Sequence, residues 1–418
     1  MNAEIPSLEK AEPGSTRSSI LHVSADFPDP ISSDKTEVIQ SLVDLTSAQF
    51  SHRVISLNRR TPPALRFSSS LLQGFGRPVL QVESQDFSYG EALIYFAPPK
   101  GLFHATMLRQ LGNWMAEHIC TATAPDMLIG HKLSVEGITV RHVAQRIGRP
   151  YAILIQGDTD TKILKNRPDL APLLRNVFHE AAVVWALTPW SLEVLSRRLG
   201  VRTGPTFVMP CPTELDQSVT PRVGGNGLLS VFHLKSHRRK NLKALAGALE
   251  ILSHERPDTQ LAIVGGGSAK DIAAARASAK NAPGMVFEGS LPRSAMQERM
   301  NAATGFVLPS RRESFGLVFV EALFAGLPII YPAGHSVDGY FENCPFAIRV
   351  DPRDYLALAS AMRRLIDDEA QLKASLASWM ASGEGEKFRR TAIMRQFSHG
   401  LELGLSCHER RDHLPPLT

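Results

Sequence analysis

The sequence predicts an α/β protein built from two doubly wound domains that face a common cleft. Three observations lead there. The chain has 418 residues, beyond the roughly 250–300 residues at which one hydrophobic core stops growing. Short apolar runs alternate with helix-like patterns, which predicts a mainly parallel sheet covered by helices on both faces. Between the two series of runs lies CPTELDQSVTPRVGGNG, whose Pro, Gly and polar residues read as a linker.

The elements follow in order. Residues 1–18 are polar, with Pro6, Pro13 and Gly14, and read as a flexible tail. ILHVSAD (20–26) is a strand signal, DKTEVIQSLVDLTSAQF a helical pattern and HRVISL a second strand. DMLIG (126–130), VEGITVRHVAQRIG (135–148) and YAILIQG (151–157) repeat the alternation, as do AVVWAL (182–187), SLEVLSRRLG and TFVMP (206–210). These place an N-terminal domain at 19–210, a linker at 211–227 and a C-terminal domain at 228–385. In the second series come LLSVFHL, NLKALAGALEILSHERP, LAIVGGG, a helix near 269–280, MVFEG, a helix near 293–302, GFVLPS, LVFVEALFAG, LPIIY and YLALASAMRRLIDDEA. Residues 386–418 read as a helix beyond the second sheet, with a loose tail after about 406.

Composition narrows the function. Lys and Arg number 46 against 41 Asp and Glu, too small a surplus for a nucleic-acid binder but compatible with anionic ligands or an anionic surface. Cys120, Cys211, Cys344 and Cys407 lie far apart without metal-ligand spacing, so no metal site is expected and a reducing cytoplasm fits. No stretch approaches about 18 consecutive apolar residues, and the N-terminus lacks a signal-peptide core.

The most informative segment is GFVLPSRRESFGLVFVEALFAGLPIIYP, 305–332. A buried strand leads through a polar turn into a helix, leaving the amides near Ser314, Phe315, Gly316 and Leu317 at a helix N-terminus. Such amides, with the helix dipole, stabilise a phosphate. Gly316 lets backbone approach a ligand closely. Glu321 lies between apolar residues, and a buried carboxylate needs a strong partner, which sugar hydroxyls supply.

SRRESFGLVFVEALFAGLPII resembles the donor site of the family 4 retaining glycosyltransferases of GT-B fold, in which two glutamates are separated by seven residues, as Glu313 and Glu321 are. LAIVGGG, MVFEGSL, FVLPS, AGLPII and the Asp338 loop occur in the family's order, over roughly 160 residues. The resemblance implies two Rossmann-like domains, with the donor on the C-terminal side and the acceptor on the N-terminal side. By it Glu313 contacts the transferred sugar, Ser314, Phe315, Gly316 and Leu317 cap the phosphates, and Glu321 accepts the ribose hydroxyls. In VFHLKSHRRKNLKAL, Lys240-Asn241 matches the family's Lys-Asn pair, and Lys240 would neutralise the leaving diphosphate. Phe232-His233-Leu234 stands where the family shows Gly-Arg-Leu, and Lys235, Arg238 or Arg239 supplies the missing cation. The N-terminal half is less similar, with Ser32-Ser33 in place of a glycine pair and Gln156-Gly157 where many members have a histidine. His131 either orients an acceptor or is a strand-end histidine, and Asp158 is an acceptor-side candidate.

The resemblance therefore implies a nucleotide diphosphate sugar as donor substrate rather than a bound cofactor, and a glycan or lipid-linked acceptor of a surface polysaccharide. Composition implies a cytoplasmic location and no nucleic-acid partner, and basic stretches such as TKILKNRPDLAPLLRN allow peripheral association with the inner face of the membrane. Two other classes stay open. Gly265-Gly266-Gly267 with Glu288 suits a nicotinamide-dependent oxidoreductase, although Lys270 stands where the third glycine of that fingerprint belongs. A catalytically degraded nucleotide-binding or scaffold protein accounts for the absent Gly-Arg pair. Asp158-Thr159-Asp160 is a weak divalent-metal signal.

Overall fold

The computed structural model describes residues 17–412 other than Arg77, Ala122 and Asn281. The flexible tail expected over 1–18 falls almost wholly outside these residues.

Two sheets organise the chain. The first comprises β1 (Ser19–Ser24), β2 (Ser51–Arg60), β3 (Val82–Phe87), β4 (Gly90–Phe96), β5 (Met127–Gly130), β6 (Tyr151–Ile155), β7 (Val183–Ala186) and β8 (Thr206–Val208). Its order is β3-β4-β2-β1-β5-β6-β7-β8, parallel except for the β3–β4 hairpin. The second comprises β9 (Leu228–Val231), β10 (Leu261–Val264), β11 (Met285–Gly289), β12 (Gly305–Val307), β13 (Ile329–Pro332) and β14 (Ala347–Val350). It runs β11-β10-β9-β12-β13-β14 and is wholly parallel. Counted within the domain this is the order 3-2-1-4-5-6, which puts a crevice beyond the carboxyl ends of β9 and β12, where the order reverses. β5, β6, β7, β10, β12 and β13 are buried at every position, and such unbroken apolar runs are what parallel strands covered on both faces require.

The structure departs from the expectations in two main regions. Residues 61–118, where periodicity indicated no element, hold the β3–β4 hairpin and two helices, Ala64–Gln73 and His104–His118. β3 is a mostly exposed edge strand, VESQDF, so it carries no apolar alternation to read. The C-terminal helix, Arg390–Asp412, continues past 406 and packs on the first sheet rather than beyond the second. Phe397 lies against Trp185, with ring centroids 4.9 Å apart. A Cβ at Gly400 would stand 2.4 Å from the Trp185 ring, and one at Gly404 would stand 2.5 Å from Met127, so glycine permits this close approach.

The segment joining the two sheets is fixed to the second domain by a buried lysine. Lys373 Nζ donates to Arg222 O at 2.5 Å and Ala303 O at 2.8 Å and pairs with Glu369 at 2.7 Å, which satisfies all three protons of an ammonium that burial would otherwise penalise.

Candidate active site

A cleft of about 880 Å³ lies between the carboxyl ends of the two sheets. Its C-terminal wall is made by the loops after β9 and β12. Lys240 ion-pairs with Glu313 Oε2, and each side chain is 12% exposed. Both loops are tied in place from behind. Asn241 adopts a left-handed φ of 64°, and its amide donates to Pro309 O at 3.0 Å and Pro352 O at 2.7 Å. Its Oδ1 accepts from Arg311 Nε at 3.0 Å, and Arg311 N donates to Arg239 O at 2.9 Å. Lys240 and Glu313 are thus presented by one braced unit.

The turn Ser314–Gly316 enters the helix Leu317–Phe324, with Gly316 as its cap at φ 78° and no side chain capping it. A Cβ at Gly316 would stand 2.7 Å from Ser336 Oγ and 2.9 Å from the Phe319 ring. Ser314, Phe315, Gly316 and Leu317 all line the cleft, so uncapped N–H groups and the positive end of the helix dipole face it.

Glu321, one turn further along, lines the cleft at its inner end. It is 8% exposed, and its Oε1 accepts from Thr213 Oγ1 at 2.7 Å and Arg293 at 3.3 Å. A carboxylate so placed keeps acceptor capacity for a pair of hydroxyls. Cys211, the only cysteine lining this cleft among the described residues, is fully buried, and burial pushes its thiol far above the ordinary range. It stays protonated and is no nucleophile.

The N-terminal wall comes from the ends of β1, β5 and β6. Lys132 pairs with Asp26 at 2.5 Å and approaches Glu136 at 3.8 Å. Glu136 is fully buried and accepts from Ala25 N at 2.7 Å. Desolvation pushes its carboxyl up to about 7, against the opposing pull of Lys132. Gln156 lines the cleft with an Nε2 that has no hydrogen-bond partner among the described residues. Asp158 begins the helix Asp158–Asn166 and binds Arg312 across the cleft.

The structure brings Glu313, Lys240, Arg239, Ser314, Phe315, Gly316, Leu317, Glu321 and Asp158 to this one cleft. It leaves out two residues expected there. Lys235 sits in the short turn Leu234–Ser236, which buries Leu234 and turns Lys235 into solvent away from the cleft lining. Arg239 is the cation that lines the cleft instead, and its only side-chain hydrogen bond among the described residues is to Ser236 Oγ at 3.4 Å.

His131 is buried and ends a chain of imidazoles rather than facing the cleft. Thr46 Oγ1 donates to Leu42 O, so it accepts from His52 Nε2 at 3.0 Å. His52 Nδ1 then accepts from His22 Nε2, and His22 Nδ1 from His131 Nε2, each at 2.9 Å. This sequence of donors leaves His131 Nδ1 as a bare acceptor, buried without a partner among the described residues. Burial, reinforced by Lys132, lowers His131 to about 3, so it is neutral.

Other sequence signals resolve into structural tasks. Asp160 is buried and accepts from Leu133 N at 3.1 Å, Ser134 N at 2.9 Å and Ser134 Oγ at 2.5 Å, so it and Asp158 serve different partners. Among the described residues no group of three or more His, Cys, Asp or Glu is placed to hold a metal ion. Gly265, at φ 154°, lies against Phe232, where a Cβ would stand 1.8 Å from the carbonyl oxygen; the glycine run braces the loop after β9. Glu288 is held by Arg299 through two bonds of 2.9 and 2.7 Å and does not line the cleft.

Lys132, Arg293 and Arg312 are cleft groups that sequence reasoning missed, as it did the buried Thr213 that donates to Glu321. For Arg293 a signal existed. It is the first residue of the helix Arg293–Asn301, where a cation opposes the helix dipole, and that conflict is relieved by Glu321 at 3.3 Å and Glu214 at 3.0 Å.

Parts of the chain are similar to known proteins. Residues 214–378 match the family model of glycosyl transferases group 1. A glycogen synthase of Mycobacterium tuberculosis is 32% identical over 151 residues, 36% of this chain and 36% of that protein. The chain thus matches about a third of that relative's length. A 2-deoxystreptamine glucosyltransferase of Streptomyces kanamyceticus is 25% identical over 267 residues, 58% of this chain and 68% of the relative. Among solved structures, sucrose-phosphate synthase from Thermosynechococcus elongatus aligns with a TM-score of 0.67 at 19% identity, covering 94% of this chain and 100% of that one. The fold is GT-B, with two Rossmann-like domains facing a central cleft.

Proposed function

We propose that this protein is a retaining glycosyltransferase that moves a sugar from a nucleotide diphosphate donor to a glycan or lipid-linked acceptor in surface polysaccharide synthesis. The observation that carries this reading is the Lys240–Glu313 pair beside the uncapped amides of Ser314–Leu317, in a cleft between two domains. The glycosyl transferases group 1 match over residues 214–378 and the glucosyltransferase relative favour the same reading.

In this reading the diphosphate lies against the amides at Gly316, with Lys240 and Arg239 around it, and Glu321 receives the ribose. Arg239 thereby does the work of the arginine missing at position 233. Glu313 meets the sugar. The anomeric C–O bond breaks with its electron pair on the phosphate oxygen, and the acceptor oxygen bonds the anomeric carbon from the same face. Its proton passes to the departing phosphate. The cations and helix amides act where negative charge develops, which is where electrostatic stabilisation contributes most. Acceptor recognition falls to Lys132, Asp26 and Gln156 on the opposite wall.

Among the described residues no helix is long and apolar enough to cross a membrane. We place the enzyme in the cytoplasm, with peripheral association at the inner face of the membrane when the acceptor is lipid-linked.

A thermal-shift panel of UDP, GDP, ADP, NAD and their sugar conjugates tests the proposal. A specific ligand raises the midpoint with its occupancy. One nucleoside diphosphate and its sugar should stabilise the protein, and proton NMR of the linkage made from that sugar should show the donor's anomeric configuration. Stabilisation by NAD alone, or an inverted linkage, would overturn the reading.

A further inference from the structure

Asp158 and Arg312 come from opposite walls of the cleft. Asp158 starts the helix after β6 in the first domain, and Arg312 lies in the loop after β12, next to Glu313. Arg312 Nε is 2.9 Å from both oxygens of the Asp158 carboxylate, and Nη2 also donates to Oδ2. Among the described residues neither side chain has another hydrogen-bonding partner. An aspartate expected to receive an acceptor hydroxyl is already engaged by a guanidinium fork.

We propose that Asp158 and Arg312 form an interdomain clamp that holds the cleft closed and sets Glu313 against the acceptor wall. Two features make the pair more than a surface contact.

First, Asp158 is offered from a rigid turn. Gly157 precedes it at φ 108°, where a Cβ would stand 2.9 Å from the Trp190 ring. Asp160, two residues on, is fixed by three hydrogen bonds to Leu133 and Ser134. The carboxylate is therefore preorganised, and little side-chain entropy is lost when it pairs.

Second, Arg312 is flanked on both sides by residues anchored in the second domain. Arg311 holds Asn241 and the carbonyl of Arg239, and Glu313 holds Lys240. A pull on Arg312 is a pull on Glu313. Two other hydrogen bonds between the domains here, Trp190 Nε1 to Ser336 O and Tyr340 OH to Leu187 O, each 2.8 Å, run to backbone carbonyls, and the Trp190 and His335 rings meet edge to face. The clamp adds the charge-assisted and geometrically selective bond. Asp158 and Arg312 are thus positioning residues, and their consequence for transfer rests on the glycosyltransferase reading, whereas closure itself does not.

Small-angle X-ray scattering on the full chain without substrate tests the clamp. The variants are Asp158→Asn, Arg312→Gln, the exchange Asp158→Arg with Arg312→Asp, and Arg141→Gln, which breaks the Arg141–Glu180 pair within the first domain. Each single clamp variant should shift the closed-to-open ratio about fivefold to tenfold toward open, the scale of a part-exposed charged bond, and enlarge the radius of gyration. The exchange should recover part of the compaction, incompletely because it puts an arginine at a helix N-terminus. Arg141→Gln should scatter as the wild type does. High salt should open the wild type and leave the single variants unchanged. Wild-type scattering from both single clamp variants, or expansion that the exchange does not reverse at all, would overturn the clamp, and neither outcome depends on finding a donor.

Discussion

Replacing Lys240 by alanine removes one ammonium from a braced loop. The backbone should stay in place, because Asn241 holds that loop through Pro309 and Pro352. Glu313 loses its only side-chain hydrogen bond among the described residues, but the cleft is open to water, so the fold should lose only about 1 kcal/mol. The larger effect falls on the ligand. A hydrogen bond to a charged group is worth about 1.5–3 kcal/mol, which predicts roughly 10- to 150-fold weaker binding of the nucleoside diphosphate. In the proposed transfer the departing diphosphate gathers charge beside the missing cation at the transition state, and loss of one such donor costs about 10²–10³ in kcat. Glu313→Gln separates the partners by the sign of its effect. It releases Lys240 from its carboxylate, so the nucleoside diphosphate should bind more tightly while transfer falls. Isothermal titration with the nucleotide selected by the thermal panel, and initial rates at limiting and saturating donor, give both numbers. Unchanged affinity and unchanged rates in Lys240→Ala would refute the assignment of this pair to the donor diphosphate.

Glu321→Ala should raise the donor KM about tenfold with kcat nearly intact, since ribose contacts are equal in ground and transition states; an effect confined to kcat would contradict the ribose role. Glu136 predicts a pH signature. Its carboxyl is pushed up to about 7 from an ordinary 4.5, so the folded state keeps a proton that the unfolded state has released, and stability should fall as pH rises from about 4.5 to about 7. In Glu136→Gln, urea unfolding at pH 5 and pH 8 should show a flatter profile, with a pH-dependent difference of up to about 3 kcal/mol, and a slope unchanged from wild type would refute this. Transfer should survive excess EDTA. Asp160→Asn should cost about 1–3 kcal/mol of stability by disturbing the Leu133 and Ser134 bonds yet retain turnover below its lowered midpoint, whereas loss of activity restored by magnesium or manganese would make Asp158-Thr159-Asp160 a metal site.

The legible parts of the chain are those where one local rule dominates. Buried parallel strands such as LAIV and YAILI announce themselves because every position is apolar, and ESFGLVFVE shows a turn, a left-handed glycine and a helix start in nine residues. Arg312 was invisible because its meaning depends on Asp158, 154 positions away, and nothing in either flank marks a pairing at that distance. His131 misled for a related reason. A histidine after a strand is equally consistent with a cleft and with a core, and only His22 and His52, brought beside it by the β2-β1-β5 order, decide between them. β3 escaped because an exposed edge strand does not need the alternation by which strands are recognised.

The return of the helix Arg390–Asp412 to the first sheet means that the polypeptide passes between the two halves twice, once before β9 and once before Arg390. A body on one tether can swivel about it, but a body on two is denied that twist. What remains is bending about the line that joins the crossings, as a door on two hinges swings without spinning. Residues such as Phe397 and Gly400, though remote from the cleft, therefore help fix the path along which Glu313 approaches the opposite wall. Weakening their seat on Trp185 should blur that path and lower the fraction of closures that bring donor and acceptor into line.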